Sequence, residues 1–213
     1  MKKSSKRLSK FLRASNRTKY QDAEARFDWL SPLLDTYHAI NGGISIELKA
    51  EELNRKEDVA CHEGCNNCCL RPTAPISQPE LWGILWYAKE ELAGNIRETV
   101  DKQVMKYSQT GQCPFLVNAG CSIYPVRPIA CRLIFVFGIP CKPDDDIHIA
   151  RRKDLWHPSR EIVGQALMFI LPLFGITGKR EKIKAFEEGY LVSASKPMNN
   201  IPWENLHNYM NNS

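Results

Sequence analysis

Four of the nine residues in CHEGCNNCC are cysteines, Cys61, Cys65, Cys68 and Cys69, spaced Cys-x3-Cys-x2-Cys-Cys. A thiol run of this density serves a disulfide framework, a redox dithiol or the ligation of a soft metal, and compartment is what separates the three. The N-terminus, MKKSSKRLSKFLRASNRTKY, is basic like the start of a secretory signal. No uninterrupted apolar segment or small-residue cleavage site follows it, so export is not expected. A cytoplasmic, reducing location is the expectation, and clustered thiols there are metal ligands or catalytic groups more often than bridges.

Four further cysteines, Cys113, Cys121, Cys131 and Cys141, follow a segment of helical pattern. All eight are candidate metal ligands, since soft thiolates select zinc, iron, iron-sulfur clusters or Cu(I). Two four-thiol sites, one before and one after the helical insert, would use every sulfur. The adjacent pair Cys68 and Cys69 strains that simple division, because neighbouring side chains tend to diverge toward different metals, or leave one thiol free.

With 213 residues, 43% hydrophobic and 25% charged, the chain can bury a real core without disulfides. Eight Lys or Arg and no acid fall in the first twenty residues, leaving 21 basic and 24 acidic residues elsewhere. The organisation read from this is a basic, flexible tail over 1–20 and one domain over 21–213, with the cysteine core at 61–141. The basic tail suits weak contact with nucleic acid or an anionic membrane surface, and Leu8, Phe11 and Leu12 at helical spacing suit the latter. The most apolar run, 162–176, is too short to span a bilayer and is interrupted by Gln165, Pro172 and Gly175, so a buried helix is expected and no transmembrane segment.

The fold class expected is mainly α, a small helical domain around an irregular cysteine-rich metal-binding core. A helix pair is read over 16–42, restarting at Ser31 and Pro32 and stopped by Gly42 and Gly43. SQPELWGILWYAKEEL opens with Ser77 three residues before Glu80, and Leu81, Ile84, Leu85 and Ala88 keep the 3.6-residue period. A second helix is read over 95–108, ending before Gly111, and another over 179–190. Between 112 and 141 prolines and glycines recur too often for long elements, with room for one short strand at 133–137. The Asn-rich end MNNIPWENLHNYMNNS reads as loosely packed.

At CHEGCNNCC, at CPFL from Cys113 to Leu116, and at GCSIYPVRPIACR, the chain resembles the YkgJ-type cysteine-cluster proteins, a family described as zinc- or iron-chelating. Cys121, Tyr124, Arg127, Pro128, Cys131 and Arg132 fall at that family's Cys-x2-Tyr-x2-Arg-Pro-x2-Cys-Arg spacing. Membership implies metal binding and no defined reaction. It departs from many members in placing three residues, rather than two, between Cys61 and Cys65, and Cys141 is the cysteine least anchored by the motif.

Four thiolates on one divalent ion leave a net charge of about minus two, which a low dielectric penalises. Arg127 and Arg132 beside the second cluster, and Arg71 after the first, are therefore read as partners of sulfur or ties to carboxylates. Tyr124 is read as packing or as a hydroxyl donor to sulfur, and His62 as solvent-facing. Asp144, Asp145 and Asp146 lack the ligand spacing of a calcium loop and are read as a solvated turn. No Ser-His-Asp order, P-loop or zinc-protease motif appears. Three classes of function remain: a thiolate metal-binding protein holding zinc or iron, an iron-sulfur redox protein, and a zinc-folded interaction module whose tail binds nucleic acid.

Overall fold

The computed structural model describes residues 17–62, 64–70, 72–142 and 145–211. The expected tail contacts of residues 1–16, and the roles read for Arg71 and Asp144, lie outside the described residues. In chain order the principal helices are α1 (Gln21–Arg26), α2 (Leu30–Arg55), α3 (Gln78–Glu90), α4 (Gly94–Met105), α5 (Arg160–Ile170), α6 (Lys179–Glu187) and α7 (Glu204–Asn211). Short strands β1 (Leu116–Val117) and β2 (Gly120–Cys121) form one antiparallel ladder, and β3 (Phe135–Val136) and β4 (Leu155–Trp156) another. The chain is mainly helical, as its periodicity predicts, with the 112–141 region irregular apart from these strands and single helical turns.

The chain divides into two compact units. The first, residues 17–57, 77–79 and 157–195, is built on α2 packed against α5. Leu33, Ala39, Ile40, Ile162, Ala166 and Ile170 are fully buried there. Gly42 and Gly43 do not stop the helix: α2 runs through them to Arg55, and the left-handed Lys56 (φ 56°) ends it. The reason is packing, because a Cβ on Gly43 would lie 2.1 Å from Ile162 Cγ2. Local propensity disfavours glycine in a helix, and the close approach of α5 overrides it. Ser159 caps α5 by accepting from the Ile162 N–H (3.3 Å), and the Glu47 carboxylate accepts from both the N–H and the hydroxyl of Ser159 (2.7 and 2.6 Å). At the start of the described chain Arg17 joins Glu24, Asp35 and the Ser31 hydroxyl. Its guanidinium holds the Glu24 carboxyl down at about 2.

The second unit, residues 58–76, 80–156 and 196–211, carries all eight cysteines. Ile84, Trp86, Val100, Val104, Phe115 and Trp203 fill its core. The C-terminal segment is not loosely packed: Met198, Trp203, Leu206 and Met210 are each 3% exposed or less. The Trp203 ring meets Phe115 edge to face, with centroids 5.0 Å apart, and α7 lies along α4, where Asp101 pairs with His207 Nδ1 at 2.7 Å. Asparagine-rich composition hid an apolar face spaced at 203, 206 and 210. Among the described residues no single helix is long and apolar enough to cross a membrane.

Replacing Gly43 by Ala should destabilise the protein by about 1–3 kcal/mol through overpacking, outweighing the roughly 1 kcal/mol gained in helix propensity. Adding Ile162→Ala should make the second change cost less than it does alone. Urea unfolding of the four chains checks this, and a stabilised single Gly43→Ala variant would contradict the close-approach account.

Candidate metal centre

A three-residue antiparallel contact sets the frame of the site. The Ala60 N–H donates to Val136 O (2.7 Å), Val59 bridges Phe137, and the Gly138 N–H donates to Asp58 O (3.0 Å). This delivers Cys61 so that its sulfur accepts from the Val136 N–H at 3.3 Å. The chain then turns through Gly64, whose φ of +85° suits glycine. A single 3-10 turn over Asn67–Cys69 follows. The Cys69 carbonyl accepts from the Cys113 N–H (2.8 Å), tying the first cysteine segment to the second. Asn67 Nδ2 donates to Asp145 O (3.1 Å), tying it also to the loop after Cys141.

Beyond Cys113, the tight link at Asn118 and Ala119, both at positive φ, returns β2 against β1 and presents Cys121. Cys131 lies in the single turn Ile129–Arg132, anchored because the buried carboxylate of Glu80 accepts from the Ile129 N–H at 2.6 Å. Arg132, only 1% exposed, donates through Nε to Arg127 O (2.9 Å) and through Nη2 to Pro125 O (2.8 Å) and Tyr124 O (3.3 Å). Arginine is needed here because its planar fork reaches several carbonyls at once. These three bonds go to backbone carbonyls, and its charge also favours a Cys121 thiolate, in keeping with a partner of sulfur.

All eight cysteines are free thiols. The Cys69 thiol is hydrogen-bonded to Cys113 on one side and to Cys68 on the other. The adjacent pair is thus in contact with each other, yet each sulfur opens onto different neighbours. Cys69 feels Cys113 and Cys121. Cys61 feels Cys65, Cys141 and Cys68, and Cys141 feels Cys65 and Cys68. Cys131 feels Cys68 and Cys121. The neighbourhoods therefore mix the two sequence clusters: Cys141 joins Cys61 and Cys65, Cys69 joins Cys113 and Cys121, and Cys68 acts on Cys61 and Cys141 as well as on Cys121 and Cys131.

Proton affinity is raised at six of the cysteines. Burial pushes Cys61 up to about 11 and Cys131 up to about 12, and raises Cys121 and Cys141. The hydrogen bond to Cys69, then burial, raises Cys68, and the hydrogen bond to Cys113 raises Cys69. Thiols crowded out of water stay protonated unless a cation takes the charge. Three arginines lie close enough to offset part of it: Arg127 acts on Cys68, Cys121 and Cys131, Arg132 on Cys121, and Arg151 on Cys141. Sequence reasoning missed Arg151. The β3–β4 pairing brings it back, with Nε donating to Asp154 Oδ2 (2.8 Å) and Nη2 to Phe137 O (3.2 Å).

Tyr124 is 55% exposed and so not packed inside; its ring carries the Arg127 guanidinium, 4.2 Å from the centroid. His62 is exposed, as read, and its Nδ1–H donates to Ala60 O at 2.8 Å. Asp145 and Asp146 accept from the Lys142 and His148 N–H groups, which is the turn expected of them.

Among the described residues no three His, Cys, Asp or Glu side chains already close around one point. The donor set nonetheless fits a thiophilic metal. Two sulfurs in hydrogen-bond contact stand about as far apart as two sulfurs on one tetrahedral zinc, about 3.8 Å for Zn–S near 2.3 Å. Loss of the thiol protons and side-chain rotation are what closure requires.

Residues 60–150 match the sequence model of the CxxCxxCC family, described as "Putative zinc- or iron-chelating domain". The cysteine-bearing segment is thus similar to a family described by metal chelation. No curated protein and no solved structure matches the chain.

Arg132→Lys should lower the unfolding free energy by at least about 2 kcal/mol, because one ammonium cannot satisfy three buried carbonyls. Urea midpoints of the two chains check this; an unchanged midpoint would show that the Tyr124–Arg127 loop does not depend on the fork.

Proposed function

We propose that the protein holds two metal ions, zinc or iron, in adjacent four-thiol sites, one formed by Cys61, Cys65, Cys68 and Cys141 and the other by Cys69, Cys113, Cys121 and Cys131. The observation that supports this is that Cys141 acts on Cys61 and Cys61 feels Cys65, while Cys69 neighbours Cys113 and Cys121 and Cys131 neighbours Cys121; Cys68 reaches both sets and is assigned to the first. Each site takes one divalent ion, releases four protons to solvent and carries a net charge of about minus two. Arg127, Arg132 and Arg151 supply the compensating charge, in keeping with the outer-shell role of such groups around metal ligands.

The bound ion would supply either a structural cross-link or, if it is iron, a redox centre; the protein's residues set which sulfurs gather. A cytoplasmic location suits a site that needs reduced thiols. The basic N-terminal segment is proposed as a separate weak contact for nucleic acid or an anionic surface.

Protein purified without oxygen should contain about two metal ions per chain by elemental analysis, with few thiols open to a thiol reagent until a strong chelator is added. Visible absorption would identify iron and its absence zinc. Because thiolate zinc contributes about 10–16 kcal/mol, comparable with a domain's 5–15 kcal/mol stability, chelation should melt the second unit. Metal-free protein with eight reactive thiols and unchanged near-ultraviolet circular dichroism would overturn the proposal.

A further inference from the structure

A cavity of about 230 Å³ lies beside the end of α4 in the cysteine-bearing unit, and buried Cys113 forms part of its wall. Thr99, Lys102, Gln103 and Lys106 also line it. Their spacing of i, i+3, i+4 and i+7 puts them on one face of the helix and its C-terminal cap. Among the described residues no acidic side chain lines the cavity, and neither lysine is ion-paired. A space of this volume suits one small ligand or one arm of a larger one.

The walls are fixed without using the lysine charges. Gln103 Nε2 donates to Leu116 O (2.7 Å), which ties α4 to β1, and the Thr99 hydroxyl donates to Asn95 O (2.7 Å). The Gly111 N–H donates to Tyr107 O (3.0 Å), and left-handed Gly111 (φ 63°) turns the chain back toward Cys113. The Cys113 N–H in turn donates to Cys69 O (2.8 Å). The cavity is therefore preformed, with a thiol in its wall and two cations on one side.

Like charges four residues apart on a helix repel each other. A lysine in the last turn complements the helix dipole, but that role does not require both to line a cavity that reaches a thiol. An anion between them removes the repulsion. We infer that this cavity receives a carboxylate of a small metal chelator between Lys102 and Lys106, and that it is the port through which the site containing Cys113 exchanges its ion. This rests on the two-site proposal above. In the exchange a donor atom of the chelator bonds to the ion as the bond to Cys113 sulfur breaks; the sulfur keeps the electron pair and takes one proton from solvent. No oxidation or reduction is involved, and loading is the reverse.

The test compares the full chain, purified without oxygen and loaded with zinc, with its Lys102→Gln/Lys106→Gln variant. Both lysines are exposed, so the fold tolerates the change. Zinc release to nitrilotriacetate, which carries carboxylates, should slow by about threefold or more in the variant. Release to neutral 1,10-phenanthroline should keep its rate, and in wild type added salt should slow only the first reaction. Brief alkylation read by peptide mass spectrometry supplies a readout that needs no metal. The ratio of modification by iodoacetate to that by neutral iodoacetamide should fall by a similar factor at Cys113 and stay unchanged at Cys141, since a ratio between reagents cancels differences in thiol acidity and access. Equal slowing with both chelators, the result for lysines that only support the helix end, would overturn the inference, as would unmoved rates and ratios. A zinc-loaded wild type with these negative results defeats this inference alone. A wild type that takes up no zinc defeats the two-site proposal and the exchange port with it.

Discussion

Crowding of eight sulfurs into one small unit is the constraint on which the rest of this structure depends. Burial drives several of these thiols toward the protonated state, with Cys61 raised to about 11 and Cys131 to about 12. A cation is the one agent that can draw the protons off without leaving buried negative charge. The surrounding design answers that charge: Arg127, Arg132 and Arg151 come from different segments, and each reaches at least one sulfur.

Irregular backbone carries the cysteines, so ordinary helix and sheet hydrogen bonding cannot order them. The work falls to single buried side chains. Glu80 on α3 holds the turn containing Cys131 through the Ile129 N–H, and Arg132 gathers the carbonyls of Tyr124, Pro125 and Arg127. Asn67 and the Cys69 carbonyl pin the first cysteine segment to the loop after Cys141 and to Cys113. Buried polar groups of this kind stabilise only when fully paired.

Much of this was legible in the sequence where local rules decide. Helices α3, α4 and α6 follow from apolar period and end signals, and the cysteine segments with their Arg-Pro and Cys-Arg companions announce a metal-binding family domain. Failures occurred where a distant element decides. Gly43 reads as a helix stop until Ile162 is known to lie against it, and the glycine is then what lets the helices meet. The C-terminal asparagines masked Trp203, Leu206 and Met210, whose spacing carried the correct signal. Sequence proximity also suggested grouping the cysteines before and after the helical insert. The antiparallel contact of 58–60 with 136–138 brings Cys141 near Cys61, a neighbourhood that sequence order does not suggest.

Mapping which thiols each cysteine protects tests the interleaved arrangement most directly. In metal-loaded Cys141→Ser, brief alkylation followed by peptide mass spectrometry should find Cys61, Cys65 and Cys68 newly modified, while Cys69, Cys113, Cys121 and Cys131 stay protected. Loss of protection at Cys113, Cys121 and Cys131, with Cys61 and Cys65 still shielded, would contradict the account and restore a division that follows the order of the sequence.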